Sequence, residues 1–271
     1  MTSAAEPTES IRDSLLGPEE PWPFDDASAI RRVYSEGAVL LGSGRALLLQ
    51  IAHPAVAAGV AEHSSFRKRR IERLLRTLRP TLAIVFGDRD QALAAAAAIN
   101  GVHRGVAGAG YSARDPDLLL YVLATLIDTT LLVHDRFVRP LARDEVEAYY
   151  GDMKVVGTLL GIPAAHLPRD IEAFHAYFDG ALAALRINDT SRFLAHEIFD
   201  TAPALSPVLW PLKHLTAGLL PPRLRAEFGL RWGLKREAAL NASASLSRRL
   251  LPLTPRSLRR PPWFLLPRKR A

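Results

Sequence analysis

Residues 42–77 read GSGRALLLQIAHPAVAAGVAEHSSFRKRRIERLLRT, an apolar stretch with a few polar residues set into it, followed at once by a basic amphipathic one. In the first half Arg45, Gln50 and His53 stand among Leu, Ile, Val and Ala, where a polar group costs free energy unless it finds a partner. In the second half Arg73, Arg76 and Thr77 fall at i, i+3 and i+4, so a helix carries all three on one face. Polar groups set into apolar helices point to a site between helices. Pro54 adds a mechanical element, because it has no N–H and its ring clashes with the carbonyl four residues back, that of Gln50. It also biases His53 away from helical geometry. The expectation is a kink at His53-Pro54 that frees the Gln50 carbonyl and turns the imidazole inward. The plainer reading is a core histidine satisfied by a backbone carbonyl.

Helical periodicity continues on both sides. Asp26 or Ser28 caps a helix running to about Gly37, and Ser43 starts the next. Residues 66 to 86 predict a basic helix with Phe66, Leu74, Leu75 and Leu78 turned inward, and Asp88 opens an alanine-rich helix carrying Asn100 and His103 on one face. The glycines at 105, 108 and 110 end it. A helix then runs from Asp115-Pro116 to about Phe137, with proline in the first turn. Asp144 caps a helix reaching Leu160, stopped by Gly161-Ile162-Pro163, and another follows Pro168 with Ile171, Phe174, Tyr177 and Phe178 on its apolar face and His175 exposed. Shorter pieces are expected near 190–199, 207–220 and 234–251. No period-two strand pattern or internal repeat is evident. The apolar span 37–60 is long enough to raise a membrane question, but Arg45, Gln50, His53 and Pro54 interrupt it, which favours a buried core helix.

Composition limits the readings. A chain of 271 residues, 48% hydrophobic and 23% charged, builds one sizeable core. It holds no cysteine, which removes disulfides, thiolate haem ligation and cysteine nucleophiles. The net charge of +7 favours anionic surfaces, but no nucleic-acid module accompanies it, so nucleic acid is not an expected partner. The N-terminus lacks a basic segment followed by an apolar core and is not read as a signal peptide. The C-terminal tail sets Trp263, Phe264, Leu265 and Leu266 beside Arg268, Lys269 and Arg270. That is the composition of an interfacial anchor on an anionic membrane surface, or of a tail that is disordered or strapped to the body. Neither HExxH nor GxSxG occurs.

Several motifs in order carry a resemblance: LLLQIAHPAVAAGVAEHSSF, RLLRT, FGD, NGVHRGVAG, YSARDPDLLLYVLATLIDTTLLVHDRFV and LARDEVEAYYGDMKVVGTLLGIP. From about Trp22 to Leu230 the chain resembles the MpaB/latex-clearing-protein oxygenase superfamily. The resemblance implies an all-helical fold holding haem b, with dioxygen cleaving an apolar unsaturated or terpenoid-like substrate. In the latex-clearing relatives one helix brings an arginine, a basic residue three positions on and then a threonine to the haem, the order found in Arg73, Arg76 and Thr77. The resemblance assigns these residues to a propionate or to the oxygen side. The family commonly reads W-V-H-A-T-L-V-D where this chain has Tyr121 to Asp128, and the rubber oxygenases ligate iron with that histidine. Here the position is Leu123, which cannot bind iron. His134 lies eleven residues on, about 16 Å along a helix, so it does not replace the lost ligand. His53 and His103 are the substitutes. Asp128 survives from the motif, either as a catalytic carboxylate or, more plainly, paired with an arginine. A non-haem iron site of His53, His103 and Asp128 is a further alternative.

The chain is therefore expected to be all-α, a single multi-helix bundle around a buried pocket, with a flexible segment 1–25, a helical domain 26–250 and a basic aromatic tail 251–271. A haem-dependent oxygenase in the cytoplasm, peripheral to a membrane, is the leading function. A haem-free relative in which Leu123 seals the cofactor pocket, binding an apolar ligand or a membrane surface, is the rival.

Overall fold

The computed structural model describes residues 22–63, 70–199, 206–262 and 266–267, with the side chains of 70–77 and 206–209 outside that description. The fold is all-α. Among the described residues the chain order is α1 (Ala29–Tyr34), a 3-10 turn (Gly37–Gly42), α2 (Ser43–Ala52), α3 (Pro54–His63), α4 (Arg70–Phe86) and α5 (Arg89–Arg104). A two-residue β ribbon (Ala107–Gly108 with Tyr111–Ser112) leads to α6 (Pro116–Val133), which passes into a π turn (His134–Val138). Then come α7 (Arg143–Leu159), α8 (Ile171–Ala184), α9 (Asp189–Phe199), α10 (Ser206–Leu219), α11 (Pro222–Glu227), α12 (Leu234–Leu250) and α13 (Arg256–Arg259).

Local chemistry explains most boundaries. Asp88 takes the backbone N–H of Gln91 at 2.8 Å while the Gln91 side chain takes that of Asp88 at 3.1 Å, a reciprocal box that satisfies two of the helix's orphan donors. Asp88→Ala is expected to cost about 1 kcal/mol, seen as a lower urea midpoint at unchanged slope. Asp115 caps α6 by accepting from the N–H of Asp117 at 2.9 Å, with Pro116 in the first turn. Gly161 has φ +94°, a left-handed conformation that glycine adopts without steric cost, and there α7 ends.

Three local expectations need correction. Asp144 lies inside the first turn of α7 rather than at its cap, and Glu145 takes the free N–H of Ala142 at 3.0 Å. The continuous helix expected to Phe137 stops at Val133 and widens into a π turn. The glycine-rich turn also contains antiparallel pairing, Ala107 opposite Ser112. It is too short to show an alternating pattern in sequence.

Helix α6 is the centre of the core. Leu120, Tyr121, Leu123, Ala124 and Ile127 are buried, and the helix touches α2, the 3-10 turn, α7 and α8. With its π turn it is long and apolar enough to cross a membrane, but 56% of the apolar window is buried inside the protein. The 37–63 stretch meets the same test only across a 102° bend, as suits core helices. Each large aliphatic side chain so buried contributes roughly 1.5–3 kcal/mol.

The two ends of the described chain are tied down. Phe24 is buried in the main core beneath Trp22, ring centroids 5.2 Å apart. Residues 1–21 of the expected N-terminal segment lie outside the described residues, as do Trp263, Phe264, Leu265, Arg268, Lys269 and Arg270 of the tail. Before that stretch, Arg259 lies 3.0 Å from Glu36.

Candidate functional site

The site grows from the α2–α3 elbow. His53 sits between the helices in extended geometry, φ −79° and ψ 123°, because Pro54 denies it helical geometry. The two arms diverge by 102°. The Gln50 carbonyl is not freed as expected. It accepts the N–H of His53 at 3.2 Å, so the break closes its own hydrogen bond with a tighter turn.

Helix α6 faces this elbow. At about 100° per residue, Tyr121, Thr125, Asp128 and Thr129 form one stripe, and each has a partner on or beside α2. Tyr121 lies against the His53 ring, centroids 5.1 Å apart, and its hydroxyl donates to the Leu49 carbonyl. Burial is the main cause that raises the Tyr121 pKa, with Tyr177 adding to it and Arg45 opposing, so the phenol stays a donor. Gln50 donates to Thr125 Oγ1 at 3.1 Å, and Thr125 donates to the Val122 carbonyl at 2.7 Å.

Arg45 is the most fully used side chain in the region. It is 4% exposed. Nε donates to the Leu219 carbonyl at 2.8 Å, Nη1 to Thr129 Oγ1 at 2.6 Å, and Nη2 lies 2.6 Å from Asp128 Oδ2. One guanidinium thus joins α2, α6 and α10. Asp128 is the partner of an arginine, as its plainer sequence reading had it.

Three histidines carry an unsatisfied buried nitrogen among the described residues, and two of them are the sequence candidates. Nδ1 of His53 and Nδ1 of His103 are both buried with no hydrogen-bond partner. Burial lowers both pKa values, with Asp115 opposing at His53, so both rings are neutral near pH 7. A neutral imidazole with a free nitrogen is the form that ligates metals. His103 stands one turn beyond Asn100, whose amide donates to the Leu159 carbonyl at 2.9 Å. His134 has its own use: Nδ1 lies 2.8 Å from the Arg139 carbonyl.

Leu123 is on the far side of α6 from Tyr121. It is 2% exposed, and a Cβ added to Gly157 would stand 2.8 Å from its Cδ2. Leu123 therefore fills the space over Gly157 on α7, close to the turn that receives Asn100. The position to which the resemblance assigns an iron ligand is occupied by packing. The non-haem triad does not assemble, since among the described residues no three His, Asp or Glu side chains converge to hold a metal. Asp128 is committed to Arg45, about 10 Å along α6 from Tyr121.

Arg73, Arg76 and Thr77 lie on α4, whose helical backbone keeps their i, i+3, i+4 register. Their side chains are outside the described residues. The residue whose part the sequence did not reveal is Tyr121. Its only signal was that it stands where relatives have tryptophan, and nothing local shows that it would meet His53.

Residues 30–249 match the family described as ER-bound oxygenase mpaB/B'/Rubber oxygenase, catalytic domain. The match begins within α1 and ends within α12, further along than the resemblance read from motifs alone. Uncharacterized proteins of Mycobacterium tuberculosis and Mycobacterium bovis are each 28% identical over 227 residues, covering 76% of this chain and 87% of the relative. No solved structure matches.

Proposed function

Because this chain belongs to the family of mpaB/B' and rubber oxygenase catalytic domains, we propose that it is a haem-dependent oxygenase acting with dioxygen on an apolar, unsaturated or terpenoid-like substrate. The observation that carries the haem assignment is the half-buried His53 ring at a helix break, whose Nδ1 is buried and unpartnered. An orphaned buried nitrogen is normally paired, and an axial bond to iron would pair it. His103 is the alternative ligand on the same ground. Bound haem b would supply the one-electron and oxygen chemistry that amino-acid side chains lack.

The chain's own residues do the rest. Tyr121 sets the plane of the His53 ring, and its hydroxyl is held by Leu49. Burial keeps His53 unprotonated and so available. Arg73, Arg76 and Thr77 share one face of α4 by their register, and the resemblance assigns them to a propionate and to the oxygen side. Arg45 and Asp128 neutralise one another and hold α2 to α6. The surrounding apolar side chains exclude water from an apolar substrate. A peripheral place at a cytoplasmic membrane surface, through the basic tail, belongs to the same proposal and rests on composition.

A second reading is favoured by one observation. Leu123 interlocks with Gly157 where relatives place the ligand, as expected of a haem-free relative that keeps the fold for binding.

The test is an absorption spectrum of protein purified from haem-supplemented cells, with a pyridine haemochrome assay. The expected result is one b-type haem per chain, lost in His53→Ala and retained in His103→Ala. Loss only in His103→Ala would move the ligand to α5. A colourless protein that takes up no added haemin would end the haem proposal and leave the binding reading.

A further inference from the structure

Away from the elbow, α10 and the segment before α12 enclose a cavity of about 170 Å³, lined in part by Trp210, Lys213, His214, Arg231 and Arg236. Three cations border it and no Asp or Glu does. Like charges gathered round one opening repel one another, at a cost that an anion among them removes. Glu237 lies near this group, but its carboxylate is already engaged, 2.7 Å from Trp232 Nε1 and 3.2 Å from Arg136.

The back of the cavity is built. His214 is sandwiched between Trp210 and Trp232, with ring centroids 5.5 and 5.0 Å away. Trp232 is held on its other side by the Arg225 guanidinium, 4.6 Å from the ring centroid. The His214 Nε2 is buried without a partner. An aromatic wall and three cations with no carboxylate among them favour an anion over an empty basic opening, although Lys213 also lies 5.7 Å from the Phe199 ring centroid.

The rim says what carries the anion. Trp210 is 59% exposed although it lines the cavity, and Leu234, two residues from Arg236, is 90% exposed. A free phosphate would use the cations but leave the indole and the leucine bare in water. A membrane uses both, since tryptophan and aliphatic side chains enter the interface while Lys and Arg meet lipid phosphates. The volume is smaller than the roughly 300–1,000 Å³ of a pocket for a whole drug-sized ligand, and suits a head group alone. We propose that this cavity binds the phosphate head group of an anionic lipid, docking the α10–α12 face on a membrane with Trp210 and Leu234 inserted. The site is independent of the haem reading and of the tail.

The full-length protein is sedimented with phosphatidylcholine vesicles with and without phosphatidic acid. Neutralising one cation at such a surface costs about fivefold in partitioning, so Lys213→Gln/Arg231→Gln/Arg236→Gln is expected to lose about a hundredfold on the phosphatidic acid vesicles. The charge-matched control Arg143→Gln/Arg169→Gln/Arg186→Gln, exposed and outside both the cavity and the tail, should keep most of the binding. Trp210→Ser/Leu234→Ser should lose binding with every charge intact, and the circular dichroism of all three variants should match the parent. Equal losses in the control would mean diffuse attraction and overturn the site. Saturation by inorganic phosphate alone, with Trp210→Ser/Leu234→Ser unaffected on vesicles, would make it a free-anion site and overturn the membrane assignment.

Discussion

Arg45→Leu is expected to destabilise the protein by about 3–5 kcal/mol, the usual cost of removing one partner of a buried ion pair. At this chain length that lowers the melting temperature by about 6 to 20 °C. The size follows from what the guanidinium satisfies. Its loss leaves Asp128 without the ion-pair partner 2.6 Å away, and Thr129 Oγ1 and the Leu219 carbonyl without the donors they meet at 2.6 and 2.8 Å. Two of these acceptors are uncharged and one is a carboxylate, which makes the largest part of the loss electrostatic. Arg45→Leu/Asp128→Leu should recover part of it, because an apolar pair of similar volume often replaces a buried ion pair without net cost. About 1–3 kcal/mol should persist from the carbonyl and hydroxyl still unpaired. Thermal and urea unfolding followed by circular dichroism measure both. A single variant no less stable than the parent would show that the three helices are held by apolar contact alone.

Leu123→Ala and Gly157→Ala should each destabilise and should partly rescue one another. The first opens a cavity and is expected to cost about 2–5 kcal/mol. The second forces a methyl to within 2.8 Å of Leu123 Cδ2, overpacking that costs roughly 1–3 kcal/mol. With Leu123 shortened the closest clash is gone and only Leu167 Cδ2 at 3.2 Å must give, so the double variant should fall short of the summed losses by about 0.5–3 kcal/mol. Strict additivity in the double-mutant cycle would mean that the two helices do not interlock there. The cycle also bears on function, because it measures how firmly packing holds the place to which the resemblance assigns a histidine.

Much of the helical framework is legible residue by residue. Ser43 begins α2, Asp88 and Gln91 form their box, Pro116 enters the first turn of α6, and Gly161 takes positive φ where α7 ends. Each of these devices acts within about four residues, so the local sequence contains all its parts. The misplaced cap at Asp144 and the early end of α6 are errors of a few residues at element ends, where alternatives differ little in energy.

The candidate site was legible as a set of suspects and not as an arrangement. Arg45, Gln50, His53, His103 and Asp128 are conspicuous as polar residues in apolar helices, since burial without partners is costly. Their partners are not conspicuous. Thr129 is 84 residues from Arg45 and Leu219 is 174 away. Tyr121 meets His53 because α6 crosses the elbow at one particular height, and the Trp210–His214–Trp232 column forms because the segment after α11 folds back on α10.

By itself the sequence determined the all-α class, the order and most ends of the helices, the family, and which side chains would need partners. Those properties follow from the 3.6-residue period and from capping groups that act between near neighbours. Only the tertiary structure decided that Asp128 is spent on Arg45, that Leu123 is locked over Gly157 rather than facing His53, and that His53 and His103 each keep a buried nitrogen without a protein partner. The reason is that a buried polar group is satisfied by whatever the facing helix presents at its height. That choice depends on how ridges of side chains mesh between elements, a relation no single helix contains.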